Sequence, residues 1–175
     1  AEYPISHSAT LYGFGGYNFR NTSALDYTKY PNDTHLNVPS IYPLGYQPSI
    51  TSKINDYTFT AGLKGTWGEW DYDLSNTIGE NILDLEVRNT ANLSLLYNTP
   101  TTMDLGGMRF LQNTANFDVR RGFDIWSGLN IAMGTEYRLE NYQIKSGQEE
   151  TYQSYDIFGN PVDNNTADID RRTDF

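Results

Sequence analysis

Apolar and polar side chains alternate residue by residue in this chain, over runs longer than an ordinary globular strand, and few folds tolerate that. A period of two places neighbouring side chains on opposite faces of a sheet, so each run must meet a different environment on each side. Tyr57, Phe59, Ala61, Leu63, Gly65 and Trp67 alternate with Asp56, Thr58, Thr60, Gly62, Lys64 and Thr66. A tight turn at Gly68-Glu69 leads into Trp70, Tyr72 and Leu74, which oppose Asp71, Asp73 and Ser75. Beyond Gly79 the apolar set moves to Leu83, Leu85 and Val87, opposite Asp84, Glu86 and Arg88. One extra residue near Gly79, a β-bulge, is the expected cause of that flip. Further on, Leu111, Ala115, Phe117 and Val119 oppose Gln112, Thr114, Asn116, Asp118 and Arg120. Leu129, Ile131, Met133, Tyr137 and Leu139 oppose Asn130, Glu136, Arg138 and Glu140. The first run is the least regular: Ala9, Leu11, Tyr17 and Phe19, with Gly13 and Gly15, against Thr10, Asn18 and Arg20 among Tyr12 and Phe14.

The connections alternate in length as well. The link from Asn21 to about Ser52 is long and holds Pro31, Pro39, Pro43 and Pro48, whereas the turn around Trp67–Trp70 is minimal. The link from Asn89 to about Leu105 is long again, Arg121–Gly128 is short, and a polar tail follows Lys145. Outer-membrane barrels have short periplasmic turns and long outer loops, and tilted membrane strands run ~9–11 residues. The expected fold is therefore all-β, an antiparallel up-and-down set of transmembrane β-barrel strands. About five long strands with long outer loops make only a partial barrel. Trp67 and Trp70 flank one short turn and Trp126 sits in the other, where an aromatic belt would meet lipid headgroups; tryptophans closing a small core are the plainer alternative.

Composition narrows the classes that remain. Fourteen tyrosines and eight phenylalanines argue against disorder, while a mean hydropathy of −0.60 suits a sheet with one wet face. Twenty-two acidic against 12 basic residues give a net charge of −10, which argues against nucleic acid as a partner. No run approaches the ~20 apolar residues of a spanning helix. Absence of cysteine removes disulfide frameworks and thiolate zinc sites.

The ordered series 56–65, 68–75, 112–121 and 134–142, reading DYTFTAGLKG, GEWDYDLS, QNTANFDVRR and GTEYRLENY, resembles the barrel domain of TonB-dependent outer-membrane receptors. The likeness runs from about Leu11 to Asp156. It implies a large barrel of the bacterial cell outer membrane, filled by an N-terminal plug and energised through TonB, that takes up a siderophore, cobalamin or a glycan. Neither plug nor TonB box is found in residues 1–175, which are therefore read as an internal barrel fragment. The plug domain through which the TonB system would act is expected outside it.

Candidate site residues follow from the alternation. Asp84, Glu86 and Arg88, with Glu136, Arg138 and Glu140, are expected to face the lumen, lining a ligand path or meeting the plug. The plainer reading makes them cross-strand charge pairs. Tyr42 and Tyr46, with Tyr27 and Tyr30, could stack on a sugar ring or a chelate, or pack on each other. Asp71 and Asp73 share a face, as a general acid/base pair would, but with no partner evident in the sequence, barrel lining is the plainer reading. His7 and His35 stand far apart without metal-ligand spacing. The oxygen-rich run Asp163-Asn164-Asn165-Thr166-Ala167-Asp168-Ile169-Asp170 could take Ca²⁺ but lacks the glycine and terminal glutamate of an EF-hand loop. No catalytic constellation, metal site or cofactor motif is expected, and an enzyme is not.

The competing class is a secreted carbohydrate-binding β-sandwich. Strand span discriminates, because sandwich strands run ~5–6 residues. Burial of Phe117, Val119, Ile131 and Met133 in a two-sheet core would favour the sandwich. An isolated fragment with an exposed apolar face is expected to self-associate or to take up outer-membrane lipid.

Overall fold

The computed structural model describes residues 1–33 and 35–163. The chain is all-β. Six strands are hydrogen-bonded in chain order as one antiparallel sheet: β1 (Glu2–Ser6), β2 (Ala9–Leu25), β3 (Ser49–Trp67), β4 (Trp70–Arg88), β5 (Thr102–Phe123) and β6 (Leu129–Ser146). A separate two-stranded sheet pairs β7 (Ser154–Tyr155) with β8 (Pro161–Val162). The large sheet is not closed into a barrel, and β1 and β6 are its edges.

Three expectations need correction. Strands β2 to β6 are 17 to 22 residues long, about twice the span inferred from the alternating runs. Ahead of them stands a short strand that the pattern does not announce, β1, whose register against β2 shifts between Pro4 and Ser6. Proline removes a backbone donor, which explains why that pairing is brief and irregular.

The bulge at Gly79 is also absent. Thr60 bonds Thr77 at 2.8 Å, and Asn81 donates to Asp56 at 2.5 Å. Each of these pairs is symmetrically placed about the Gly68-Glu69 turn, so no extra residue intervenes between them. Apolar residues change parity for a different reason: beyond Ile82 the strand belongs to a second compact unit, where Val87 is buried.

The chain divides into two such units. The first comprises Ala1–Phe19, Asn55–Ile82 and Arg109–Gln143; the second comprises Arg20–Ile54, Leu83–Met108 and the described residues from Ile144. All the short turns of the large sheet belong to the first. Gly68 takes a φ of +65° in the β3–β4 turn and Gly128 one of +99° before β6, values that suit glycine.

Every long connection belongs to the second unit. Segment 26–48 is closed by the Lys29–Tyr46 bridge, and residues 89–101 carry a 3-10 turn, Leu93–Asn98. Beyond Ser146 a second 3-10 turn, Glu149–Thr151, precedes the β7–β8 hairpin, so the expected tail is folded here. This unit has a small apolar core of Val38, Val87 and Met103.

The first unit has none. Its buried residues are Thr60, Gly62 and Thr114, all from the polar rows of β3 and β5. The apolar rows stay open: Phe59 is 54% exposed and Met133 57%. At these positions burial is inverted relative to a water-soluble sheet.

Candidate functional site

On the polar face of the first unit, neighbouring strands exchange side-chain contacts in a continuous network. The Tyr12 ring of β2 crosses Gly62 of β3, and its hydroxyl donates to Asp73 of β4 at 2.7 Å. Any β-carbon at position 62 would collide with that ring. Lys64 lies 5.4 Å from the Tyr12 ring centre and bonds Glu2 at 2.6 Å. Arg120 of β5 donates to Asp71 of β4 at 3.0 Å. Alongside is a cleft of about 840 Å³ whose lining includes Lys64, Asp71, Asp73, Asp118, Arg120 and His7. Such a volume falls in the range of small-ligand sites.

Phe14 shares this face with Tyr12. The two rings are nearly parallel, 11° apart with centres 6.4 Å apart, and Phe14 is 61% exposed. The opposite, apolar face carries a polar exception. Asn76 and Asn113 exchange side-chain amide hydrogen bonds at 3.0 and 2.9 Å, each amide answering the other.

At the short turns Arg121 bonds Glu69, and its guanidinium lies 4.5 Å from the Phe123 ring and 5.7 Å from that of Trp70. Those two rings meet edge to face at 6.3 Å. Trp67 and Trp126 are 84% and 94% exposed, so they close no core.

The residues singled out from sequence fall into separate groups. Glu136, Arg138 and Glu140 form a row on β6, with Arg138 at 2.7 Å from Glu136 and 3.8 Å from Glu140. In the second unit Arg88 pairs with Glu86 at 2.5 Å. Asp84 lies 3.8 Å from Lys145, which also bonds Asp104 at 3.1 Å. These are exposed cross-strand and along-strand pairs, each worth at most ~1 kcal/mol.

Tyr42 and Tyr46 stack on each other at 4.2 Å. Their hydroxyls donate to the carbonyls of Thr90 and Leu36. Burial raises both phenols above the usual tyrosine range. The pair holds the long loop together, and each ring has one face taken by the other. Asp156, in the β7–β8 connection, accepts from the backbone N–H groups of Asn160 and Phe158, both at 2.8 Å. Those bonds hold its carboxyl below the ordinary aspartate range.

No group of three or more potential ligands able to hold a metal is found among the described residues. Beyond Asp163, the run considered for calcium lies outside them.

Sequence reasoning missed the Tyr12–Gly62–Asp73 crossing, the Asn76–Asn113 pair and the Arg121 cluster. All three depend on the register between strands, which alternation alone does not give; the Gly68-Glu69 turn fixes only that of β3 against β4. No family model matches the chain, and no curated protein or solved structure matches it.

Proposed function

We propose that this chain forms part of the wall of a bacterial outer-membrane β-barrel, of the TonB-dependent receptor type, that takes up a nutrient ligand. One observation carries the reading: the residues buried in the first unit, Thr60, Gly62 and Thr114, come from the polar rows, while Phe59, Leu74, Phe117 and Met133 of the apolar rows are exposed. In water that arrangement forfeits about 1.5–3 kcal/mol for every large apolar side chain left out. Hydrocarbon outside and water inside remove the penalty, as in a barrel wall. Connection lengths agree, with the short turns in one unit and the long loops in the other. Exposed Trp67 and Trp126 at those turns suit the headgroup region.

The TonB assignment rests on the sequence resemblance and not on the sheet. Under it the partners are outer-membrane lipid, the nutrient ligand, and TonB acting through a plug outside these residues. The role is binding and passage, with no chemistry performed on the ligand. The free edge of β6 is where a further wall strand would pair. Without lipid or that strand, the chain is expected to self-associate.

The sandwich alternative is disfavoured by the same exposures. Phe117 and Met133 are open, and the only other sheet among the described residues is the two-stranded one of the second unit. The test is reconstitution. The chain should enter phospholipid vesicles and become resistant to externally added protease along β3 to β6. A monodisperse, detergent-free monomer with Phe117 and Met133 protected from solvent would overturn the reading.

A further inference from the structure

Two polar contacts interrupt the apolar face of the first unit, and they lie in one register. Asn76 and Asn113 exchange amide hydrogen bonds, and Arg109 of β5 donates to Glu80 of β4. Glu80 stands four residues after Asn76 and Arg109 four before Asn113, an even spacing that keeps all four side chains on one face. The two pairs are about 13 Å apart along the strands. We infer that this face of β4 and β5 docks on the same face of a second copy of the chain, about a two-fold axis along the membrane normal. The inference rests on the barrel-wall reading, in which the face meets hydrocarbon, and names a partner for it.

Such an axis exchanges left and right and preserves depth. It sets Glu80 of one copy against Arg109 of the other, twice over, and Asn76 against Asn113 in the same way. One acid, one base and two amides, paired across neighbouring strands, thus make a patch complementary to itself. Ala61, opposite Asn76 in the β3–β4 hairpin, and Ala115 share the face and are small enough to admit a second surface closely.

Lipid supplies the reason to pair. Trp70, at a short turn, and Glu80 stand ten residues apart on this face, about the reach of a tilted strand across hydrocarbon. The ion pair therefore falls at the far margin of that band and the amides inside it. The mutual exchange uses one N–H of each amide and leaves the other without a partner among the described residues, a costly state away from water. Arg109 reaches Glu80 through Nε, and its side chain stays half exposed. A second copy offers these donors matching acceptors. Lipid tails offer none.

The experiment follows the full chain in phospholipid vesicles at high dilution, by single-molecule photobleaching with one fluorophore per chain. Pairs should predominate over single chains and over larger assemblies. Arg109→Glu and Glu80→Arg, each alone, should weaken pairing by about tenfold or more, and mixing the two variants should restore it. Only a contact in which position 80 of one copy meets position 109 of the other gives that rescue. Asn76→Leu with Asn113→Leu should weaken pairing by about threefold or more while the chain still inserts. Single chains throughout would overturn the inference. So would pairing unmoved by these variants, which would belong to the free edge of β6, or a mixture that pairs no better than its components. Insertion is scored separately, by protease resistance, on the same vesicles. Inserted single chains would remove the second copy and keep the barrel reading; charge-exchange rescue in a chain that does not insert would keep the contact and remove that reading.

Discussion

The ring of Tyr12 occupies the space where Gly62 would otherwise carry a side chain, and this lets a residue of β2 bond directly to Asp73 on β4. One tyrosine thereby links three consecutive strands. Gly62→Ala should push the ring off its seat and destabilise the folded chain by about 1–3 kcal/mol, the usual cost of overpacking. Tyr12→Phe, which removes only the hydroxyl, should cost about 0.5–1.5 kcal/mol. Urea unfolding of lipid-reconstituted protein measures both. If the crossing is as described, Gly62→Ala placed on a Tyr12→Ala background should cost much less than it does alone.

The two faces of β5 should respond oppositely to charge. Phe117→Arg places a cation on the open apolar row and should cost roughly 2–4 kcal/mol in a bilayer. Asn116→Arg, one residue away on the polar row, should change stability by less than about 1 kcal/mol. Comparable penalties for the two, read from folding titrations into vesicles, would contradict the assignment of faces.

The Asn76–Asn113 exchange places two amides on the apolar side, where each satisfies the other. Asn113→Ala leaves Asn76 without its partner and should destabilise the chain in lipid by about 1–3 kcal/mol. The double change Asn76→Leu with Asn113→Leu should recover most of that loss, because apolar groups replace both members. A double-mutant cycle in vesicles supplies the coupling energy.

Asp156 gives a pH-dependent observable away from the strands of the large sheet. Its carboxyl is held low chiefly by the backbone N–H of Asn160, so its contribution is present above the unfolded-state pKa of an aspartate. That contribution is lost as pH falls through the depressed folded value. The amide resonances of Phe158 and Asn160 should therefore shift together on acidification, below the range of an ordinary carboxylate. Asp156→Asn should abolish the transition.

Much of the sheet was legible because solvent contrast writes itself into alternation. The β3–β4 hairpin, from Asp56 through Gly68-Glu69 to Ser75, was readable to the residue, since hydrophobic and polar positions switch without interruption. The far end of β2 was not. Residues Asn21 to Leu25 continue the strand fully exposed, and where both faces meet water there is no contrast for the pattern to report. The parity change in β4 was visible but misattributed. A change of surroundings, with Val87 buried in the second unit, imitates the signature of an inserted residue. Tyr42 and Tyr46 stood out in the sequence as rings that stack on a ligand or pack on each other. Composition could not reveal that each was the other's partner. The charged triplets on β4 and β6 were legible as rows, but their pairings depend on register and side-chain reach.

The lengthy connections all lie in the unit that has its own small core of Val38, Val87 and Met103, whereas the hairpins of the other unit turn in a few residues. Insertions and substitutions can accumulate in the former without breaking a single rung of the β3–β4 ladder next to Gly68. In evolution, the long connections are then free to drift while the lattice that carries them stays put. Grafting foreign peptides at exposed positions of segments 26–48 and 89–101, away from Val38 and the Tyr42–Tyr46 stack, should accordingly be the least disruptive way to engineer the chain.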